Sequence, residues 1–546
     1  MEAIIASTRP SAGDAALLAS VDNDDPVSYS QAMEDVHHSE WKDAMDEEMT
    51  SHKANNTWQL IKLPQGHRAI DTKWVFKRKL GSDGTVQRYK ARLCAKGFKQ
   101  IYGVDYFDTF APVVKYKSLR VVLALAAIYD LELSQMDVMT AFLNADVNEE
   151  IYVEQPEGYV SGGEHLVCKL NKALYGIKQA PHEWNNELDR FITSIGFKRC
   201  VADTCVYVRT TVSENLLIIA IFVDDIMSAY QATDQKEWLQ VKALFNSTYQ
   251  MKDLGNVEWI LGMRVTRDRA NKRLYLDQEL YISKVLKRFQ MSDCNTDATP
   301  ADAGSGLCVT EVSEADKQFM STVAYKSIIG SLMYAALSTR PDIAHAVCVL
   351  SRYMANPAKI HWIAAKRVLR YLKGSCKLKL SYSGTIYQNQ PLQINAFCDA
   401  DFAGDTADRK STSGQLVYIN DCLVSWSSKK QTCVSLSTME AEYVAISSVV
   451  QEVTWLKQLL QELSFKQDLP IVVLNDNTAA ISVGHHDSNH PKAKHISIKF
   501  HHIRDEVKSK AVDLKWVDTV HQLADILTKA LVPKRFKYLC GLIMDV

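Results

Sequence analysis

The chain has 546 residues, 47% of them hydrophobic and 23% charged, which is too long for one hydrophobic core and ordinary for a multidomain globular protein. No apolar run approaches the roughly 20 residues of a membrane-spanning helix, and the N-terminus lacks a basic-then-apolar signal pattern. The net charge of −1 hides an uneven layout: residues 1–50 hold 12 acidic and 2 basic side chains, residues 51–120 hold 4 and 15, and residues 352–379 hold eight Lys/Arg and no acid.

Two separate basic regions in a near-neutral chain point to a polyanion partner, with phosphate contacts as the driving term. Twelve cysteines without a CxxC pair argue for a reducing compartment, and against a disulfide framework or a zinc knuckle.

In chain order, residues 1–27 read as an acidic, disordered leader. Helical spacing begins near residue 30, and TKWVFKRKLGSDGTVQRYKARLCAKGF (72–98) reads as two basic strands around the turn GSDG. A helix over 118–130 precedes a strand over 131–138. After Pro181 the 173–197 segment becomes an amphipathic helix; a hairpin around Asp224 and a helix over 234–247 follow. The polar stretch 290–322 predicts a linker, with helices expected at 323–337, 341–355 and 360–373. From residue 391 three strands, a long helix (TMEAEYVAISSVVQEVTWLKQLLQEL) and the strand IVVLND are expected.

The run LLIIAIFVDDIMSAY (216–230) sets Asp224 and Asp225 among residues that ask to be buried. Asp-Asp is a poor two-residue turn because such turns want positive φ, and buried like charges raise each other's pKa. A divalent cation resolves both difficulties, although a plain turn stays open at this point. Asp137, ending the strand in QMDVMTAFLNADV, is the candidate further ligand. Three carboxylates could hold two Mg²⁺ about 4 Å apart for in-line phosphoryl transfer. Further on, Asp399, Asp401 and Asp405 lie near a strand, Glu440 and Glu442 at a helix start, Asp476 at a strand end and Asp525 on a final helix.

The ordered blocks YKARLCAKGFKQIYGVDYFDTFAPVVK, QMDVMTAFLNADVNEEIYVEQPEGY, CKLNKALYGIKQAP, FVDD, MKDLG, IGSLMYAALSTRPDI, KHI and ADILTKAL span about nine-tenths of the chain. They resemble the reverse transcriptase–ribonuclease H portion of copia-type LTR-retrotransposon Gag-Pol polyproteins. The resemblance implies a multidomain α+β fold: a right-hand polymerase of fingers, palm and thumb over 28–295, a linker and helical connection over 296–388, and an RNase H-like α/β domain over 389–535. A tail would occupy 536–546.

It further implies an RNA-directed DNA polymerase that degrades the RNA strand of the resulting hybrid. Asp137, Asp224 and Asp225 would be its polymerase metal ligands, and Asp399, Glu442, Asp476 and Asp525 its nuclease ligands, with Glu440 as the alternative to Glu442. Two Mg²⁺ per site are expected, with Mn²⁺ as a substitute. Phe142 falls at the family's steric gate, Gln179 beside the incoming nucleotide, and Lys90 and Arg92 where cations grip a triphosphate. RNA template, DNA primer, hybrid, dNTPs and the rest of the polyprotein are the implied partners, without a membrane. The implied location is a cytoplasmic virus-like particle, or the nucleus.

Two residues depart from the family's pattern: Phe222 stands for the usual tyrosine before VDD, and His182 for an arginine after QAP. The alternative reading is a catalytically silent remnant that only binds nucleic acid. Lacking a CCHC knuckle, a protease Asp-Thr/Ser-Gly and an HHCC module, the chain is expected to be a piece of a larger polyprotein or a truncated copy. HHDSNHPKAKHISIKFHH (485–502) holds six histidines at spacings that match no standard zinc set.

Overall fold

The computed structural model describes residues 25–80, 85–304, 306–309, 311–384, 390–485 and 497–545. Most of the expected leader, the GSDG turn and residues 486–496 of the histidine-rich stretch lie outside the described residues. Among the described residues, no helix is long and apolar enough to cross a membrane.

A six-stranded sheet forms the palm. Its order runs from Met251–Asn256 through Glu132–Val138, Asp225–Tyr230, Leu216–Phe222 and Val206–Thr210 to Lys198–Arg199. The helix Tyr116–Ile128 buries nearly its whole length, packing chiefly against the strands Arg273–Asp277, Leu380–Ser383 and Cys422–Lys430, as expected of a run LRVVLALAAI that is apolar apart from Arg120. The basic strands Thr72–Leu80 and Val86–Ala95 pair antiparallel as a separate ribbon, with Lys77 opposite Lys90 and Val75 opposite Arg92. Cross-strand like charges repel, so the Lys77–Lys90 pair is destabilising by itself.

The C-terminal sheet runs Cys422–Lys430, Thr412–Ile419, Ile394–Asp401, Ile471–Asn475, Val512–Trp516. Its first three strands are antiparallel and the last two join in parallel. Helix Thr438–Glu462 packs across it.

Three elements differ from expectation. Within the polar stretch 290–322, Thr299 is buried under Arg367, which donates to its carbonyl and hydroxyl, and Glu314–Ser321 is a helix capped by Ser313. The expected tail belongs to a helix, Pro533–Ile543, that buries Phe536, Leu539, Cys540 and Ile543. Leu380–Ser383, expected in the connection, adds a strand beside Arg273–Asp277.

One apolar core accordingly runs from the back of the palm through the connecting helices into the C-terminal sheet. Arg120 seals that junction. Fully buried, it donates to the carbonyls of Val424, Leu337 and Ser338 and lies 3.8 Å from the Trp426 ring. A second core unites the basic ribbon with the front of the palm.

Candidate active sites

Strand pairing brings Asp137 and Asp225 together. Asp225 faces Asp137 in the antiparallel ladder, and the Val138 amide donates to the Asp224 carbonyl at 3.0 Å. The hairpin turn is one residue earlier than the Asp-Asp reading supposed: Phe222 pairs with Asp225, so Val223 and Asp224 form the loop. Val223 takes the positive φ, 59°, an unfavourable conformation for a β-branched residue. The indole of the buried Trp184 holds this turn, donating to the Val223 carbonyl at 2.7 Å.

Burial, then the charge of Asp224 and of Asp137, pushes the Asp225 carboxyl up to about 6. Burial and Asp224 likewise raise Asp137. Such mutual destabilisation is what a bound divalent cation relieves, and the donors are all oxygens, but Asp137, Asp224 and Asp225 do not bring one oxygen each within 4.8 Å of one another as Asp399, Glu442 and Asp476 do. On the other side of Asp137, Lys252 occupies the paired position, a cation in the same cross-strand row.

The charges of the ribbon's Lys90, Lys79 and Arg92 oppose that rise at Asp137. Burial pushes Lys90 down to about 8, with Arg92 and Lys79 adding to the effect and Glu48 and Asp137 opposing it. Arg92 lies 4.4 Å from the Tyr175 ring, and Tyr175 packs on Phe142 at 4.8 Å between ring centroids. Arg92, Tyr175 and Phe142 thus form one contact chain, with Tyr175 not singled out from sequence, while Lys90 and Arg92 act on the carboxylates through their charge. Gln179 differs. It is fully buried, donating to the Asp105 carbonyl and to Glu149 and accepting from Gln100, so direct contact with a nucleotide is closed to it.

In the C-terminal domain, one oxygen each from Asp399, Glu442 and Asp476 lie within 4.8 Å of one another, a spacing that could hold a cation. Glu440 is engaged elsewhere: its amide bonds the Ser437 hydroxyl while its carboxylate accepts from the Leu436 amide, tying down the helix start. Burial, then the Asp399 charge, pushes Glu442 up to about 9, and Asn475 donates to it at 2.9 Å. Burial drives Asp399 up to about 6, opposed by Lys529. Asp401 accepts from the Thr412 amide and Asp405 from Arg352 and Lys430, so neither joins the cluster.

Asp525 stands apart from the trio. Although buried, it has Lys529 on one oxygen at 2.7 Å and Arg535 on the other at 3.1 Å.

The family described as reverse transcriptase (RNA-dependent DNA polymerase) matches residues 55–303. The chain is 42% identical over 94% of its length to the retrovirus-related Pol polyprotein from transposon TNT 1-94 of Nicotiana tabacum, covering 38% of that protein. It is 36% identical over 93% of its length to the Pol polyprotein from transposon RE2 of Arabidopsis thaliana, covering 34%. A transposon Ty5-1 protein of Saccharomyces cerevisiae is 34% identical and matched over its whole length by 58% of this chain. The chain belongs to the copia-type retrotransposon Pol family of reverse transcriptases. It spans little more than a third of the Pol polyproteins it matches.

Among solved structures, a foamy viral protease–reverse transcriptase with double-stranded DNA aligns at a TM-score of 0.44 and 12% identity, covering 88% of this chain and 70% of that one. A halophilic archaeal RNase H1 (Halobacterium salinarum) aligns at a TM-score of 0.18 and 13% identity, covering 25% of this chain and 94% of that one.

Within this Pol family the two departures have structural places. Phe222 keeps its ring in the row of Asp225, and His182 bonds the Phe110 carbonyl through Nδ1 at 2.8 Å. Of the histidine-rich stretch, His485 bonds the Leu514 carbonyl, a structural use.

Proposed function

We propose that the chain is an RNA-directed DNA polymerase that also cleaves the RNA strand of RNA–DNA hybrids. The observation that carries this reading is the pairing of Asp137 with Asp225 at the head of a strained hairpin, within the electrostatic reach of the half-buried Lys90 and Arg92. Its relatives' description as Pol polyproteins supports the same reading.

Asp137, Asp224 and Asp225 would hold Mg²⁺, as would Asp399, Glu442 and Asp476; when bound, the ion supplies Lewis acidity and charge neutralisation at the reacting phosphate. Lys90 and Arg92 take the triphosphate, whose charge stabilises the Lys90 ammonium against the burial that lowers it. Phe142, braced by Tyr175, lies under the sugar and leaves no room for a 2′-hydroxyl. RNA template, DNA primer, dNTPs and the remainder of the polyprotein are the partners, with a virus-like particle as the setting.

Soluble full chain, given an RNA template, a DNA primer, dNTPs and Mg²⁺, is expected to extend the primer. No incorporation would instead favour the silent-remnant reading.

Gln179 enters indirectly. Its bonds to Gln100 and Asp105 fasten a loop whose Phe98, Ile101, Tyr102, Phe107 and Phe110 are all at least half exposed. Clustered exposed rings beside a basic ribbon suit stacking on unpaired bases, and the single-stranded template ahead of the primer terminus is the ligand that fits. The Phe107→Ala and Tyr102→Ala variants should each bind a primer–template with a 5′ overhang about tenfold more weakly, on the usual scale of base stacking. Blunt-duplex binding should hold. Fluorescence anisotropy on the two duplexes decides it; equal losses on both would reject stacking.

A further inference from the structure

We propose that Lys529, and no second divalent ion, supplies the positive charge between Asp399 and Asp525 in the nuclease site. This rests on the nuclease reading above and goes beyond it by assigning the site's cations.

A second metal beside the Asp399–Glu442–Asp476 trio would have to share Asp399 and draw on Asp525. Each oxygen of Asp525 faces a protein cation: Oδ2 accepts from Arg535 at 3.1 Å, and Oδ1, which accepts no hydrogen bond, is ion-paired with the Lys529 ammonium 2.7 Å away. The same Lys529 ammonium lies 3.7 Å from Asp399 Oδ2, so one cation spans the two acids. Asp399 Oδ2 also accepts from the Thr528 hydroxyl. Asp525 therefore acts as a positioning residue that holds an ammonium against Asp399, and its assignment as a direct metal ligand is revised.

The backbone fixes this arrangement. The turn Leu523–Leu527 lies flat against the strand beside Asp399, because Gly414, in register with Asp399, has no side chain. A Cβ there would come 2.8 Å from Leu527 Cβ and Thr528 Cγ2. The Thr528 and Lys529 amides both donate to the Asp525 carbonyl, closing the turn that aims the lysine. Arg535 is in turn anchored by the Thr519 and Val520 carbonyls, and Thr519 donates to Asp476 at 3.0 Å. One side of the site is thus a wall of protein cations, and the other is the three-acid cluster. A lysine is a compact point charge suited to this place; its stem crosses the surface while its head reaches the acids.

The test counts ions. The full chain, with Asp137→Asn and Asp224→Asn to silence the polymerase centre, is titrated with Mn²⁺ by calorimetry and followed by electron paramagnetic resonance. Lys529→Met and Lys529→Arg are compared in the same background. With lysine or arginine at 529, one tightly bound, magnetically isolated Mn²⁺ is expected. With methionine, a second ion should bind and give the spin-coupled spectrum of a close pair. In the chain with an intact polymerase centre, Lys529→Met should cleave hybrid at least tenfold more slowly at limiting Mg²⁺, with a steeper Mg²⁺ dependence.

Two coupled ions with lysine in place would overturn the proposal, as would a single ion in the methionine variant. Absence of Mn²⁺ from every protein would instead reject the nuclease reading itself. The side chain of Lys529 is nearly half exposed, so methionine is tolerated by the fold.

Discussion

Asp224→Asn should abolish primer extension while leaving hybrid cleavage within about twofold, since distant sites act independently. The substituted carboxamide keeps the shape of the carboxylate. The turn's own supports, the Val138 amide on the Asp224 carbonyl and the Trp184 indole on the Val223 carbonyl, are backbone contacts that it does not touch. The loss is therefore one of charge. A metal centre contributes several kcal/mol of transition-state stabilisation at about 1.4 kcal/mol per factor of ten, so a fall on the order of 10³-fold in single-turnover extension is expected.

The same change should relieve the protein when no metal is present. The Asp224 charge is, after burial, the largest influence holding Asp225 up near 6, so Asp225 should return toward its ordinary value of 3.8. A variant that lost cleavage together with extension would have misfolded. One that kept extending would remove Asp224 from the metal site. Either result shows in parallel assays on one preparation.

What could be read from residue order, and what could not, follows from how each position is determined. The doublet at 224–225 stood out because charge among buried apolar residues is costly. Its partner Asp137 could be named but not placed, because an antiparallel register across 88 residues is set by the sheet and leaves no local periodicity. The hairpin around Asp224 was legible and the doublet is not its two-residue turn, but the turn that forms was hidden for a related reason. Local rules ask for Gly or Asn at positive φ, yet Val223 takes that place under the hold of Trp184, on a helix 39 residues earlier in the chain.

Gln179 was read as lying near the incoming nucleotide because YGIKQAP resembles the family's motif there; burial, invisible in sequence, makes it a loop anchor. Between Glu440 and Glu442 the helix start decides: the residue three after Ser437 closes the cap, and Glu442 faces the sheet. The polar stretch before residue 322 hid buried structure because its burial comes from Arg367 and Arg370, which reach it from a distant helix.

Glu442→Gln should silence hybrid cleavage, again on the order of 10³-fold for a lost metal ligand, spare extension, and stabilise the metal-free protein. Glu442 has an ordinary value of 4.5 and is pushed up to about 9 by burial first and by Asp399 second. Between those values the native chain holds a proton that the unfolded chain has released. Stability referable to this group is therefore complete below 4.5 and is lost as pH rises toward 9. Glutamine carries no titrating proton, so it removes that slope while still accepting the Asn475 amide bond.

The difference in melting temperature between variant and parent should thus be small near about pH 5 and grow in the variant's favour toward about pH 8. Mg²⁺ should reverse the order. The ion repays the buried charge of the parent's carboxylate, while the neutral variant has one ligand fewer to offer. Thermal unfolding at both pH values, with and without Mg²⁺, carries the whole test. A pH-independent difference would mean that Glu442 is ionised in the metal-free protein. Equal stabilisation of both proteins by Mg²⁺ would place the ion somewhere other than the Asp399–Glu442–Asp476 cluster.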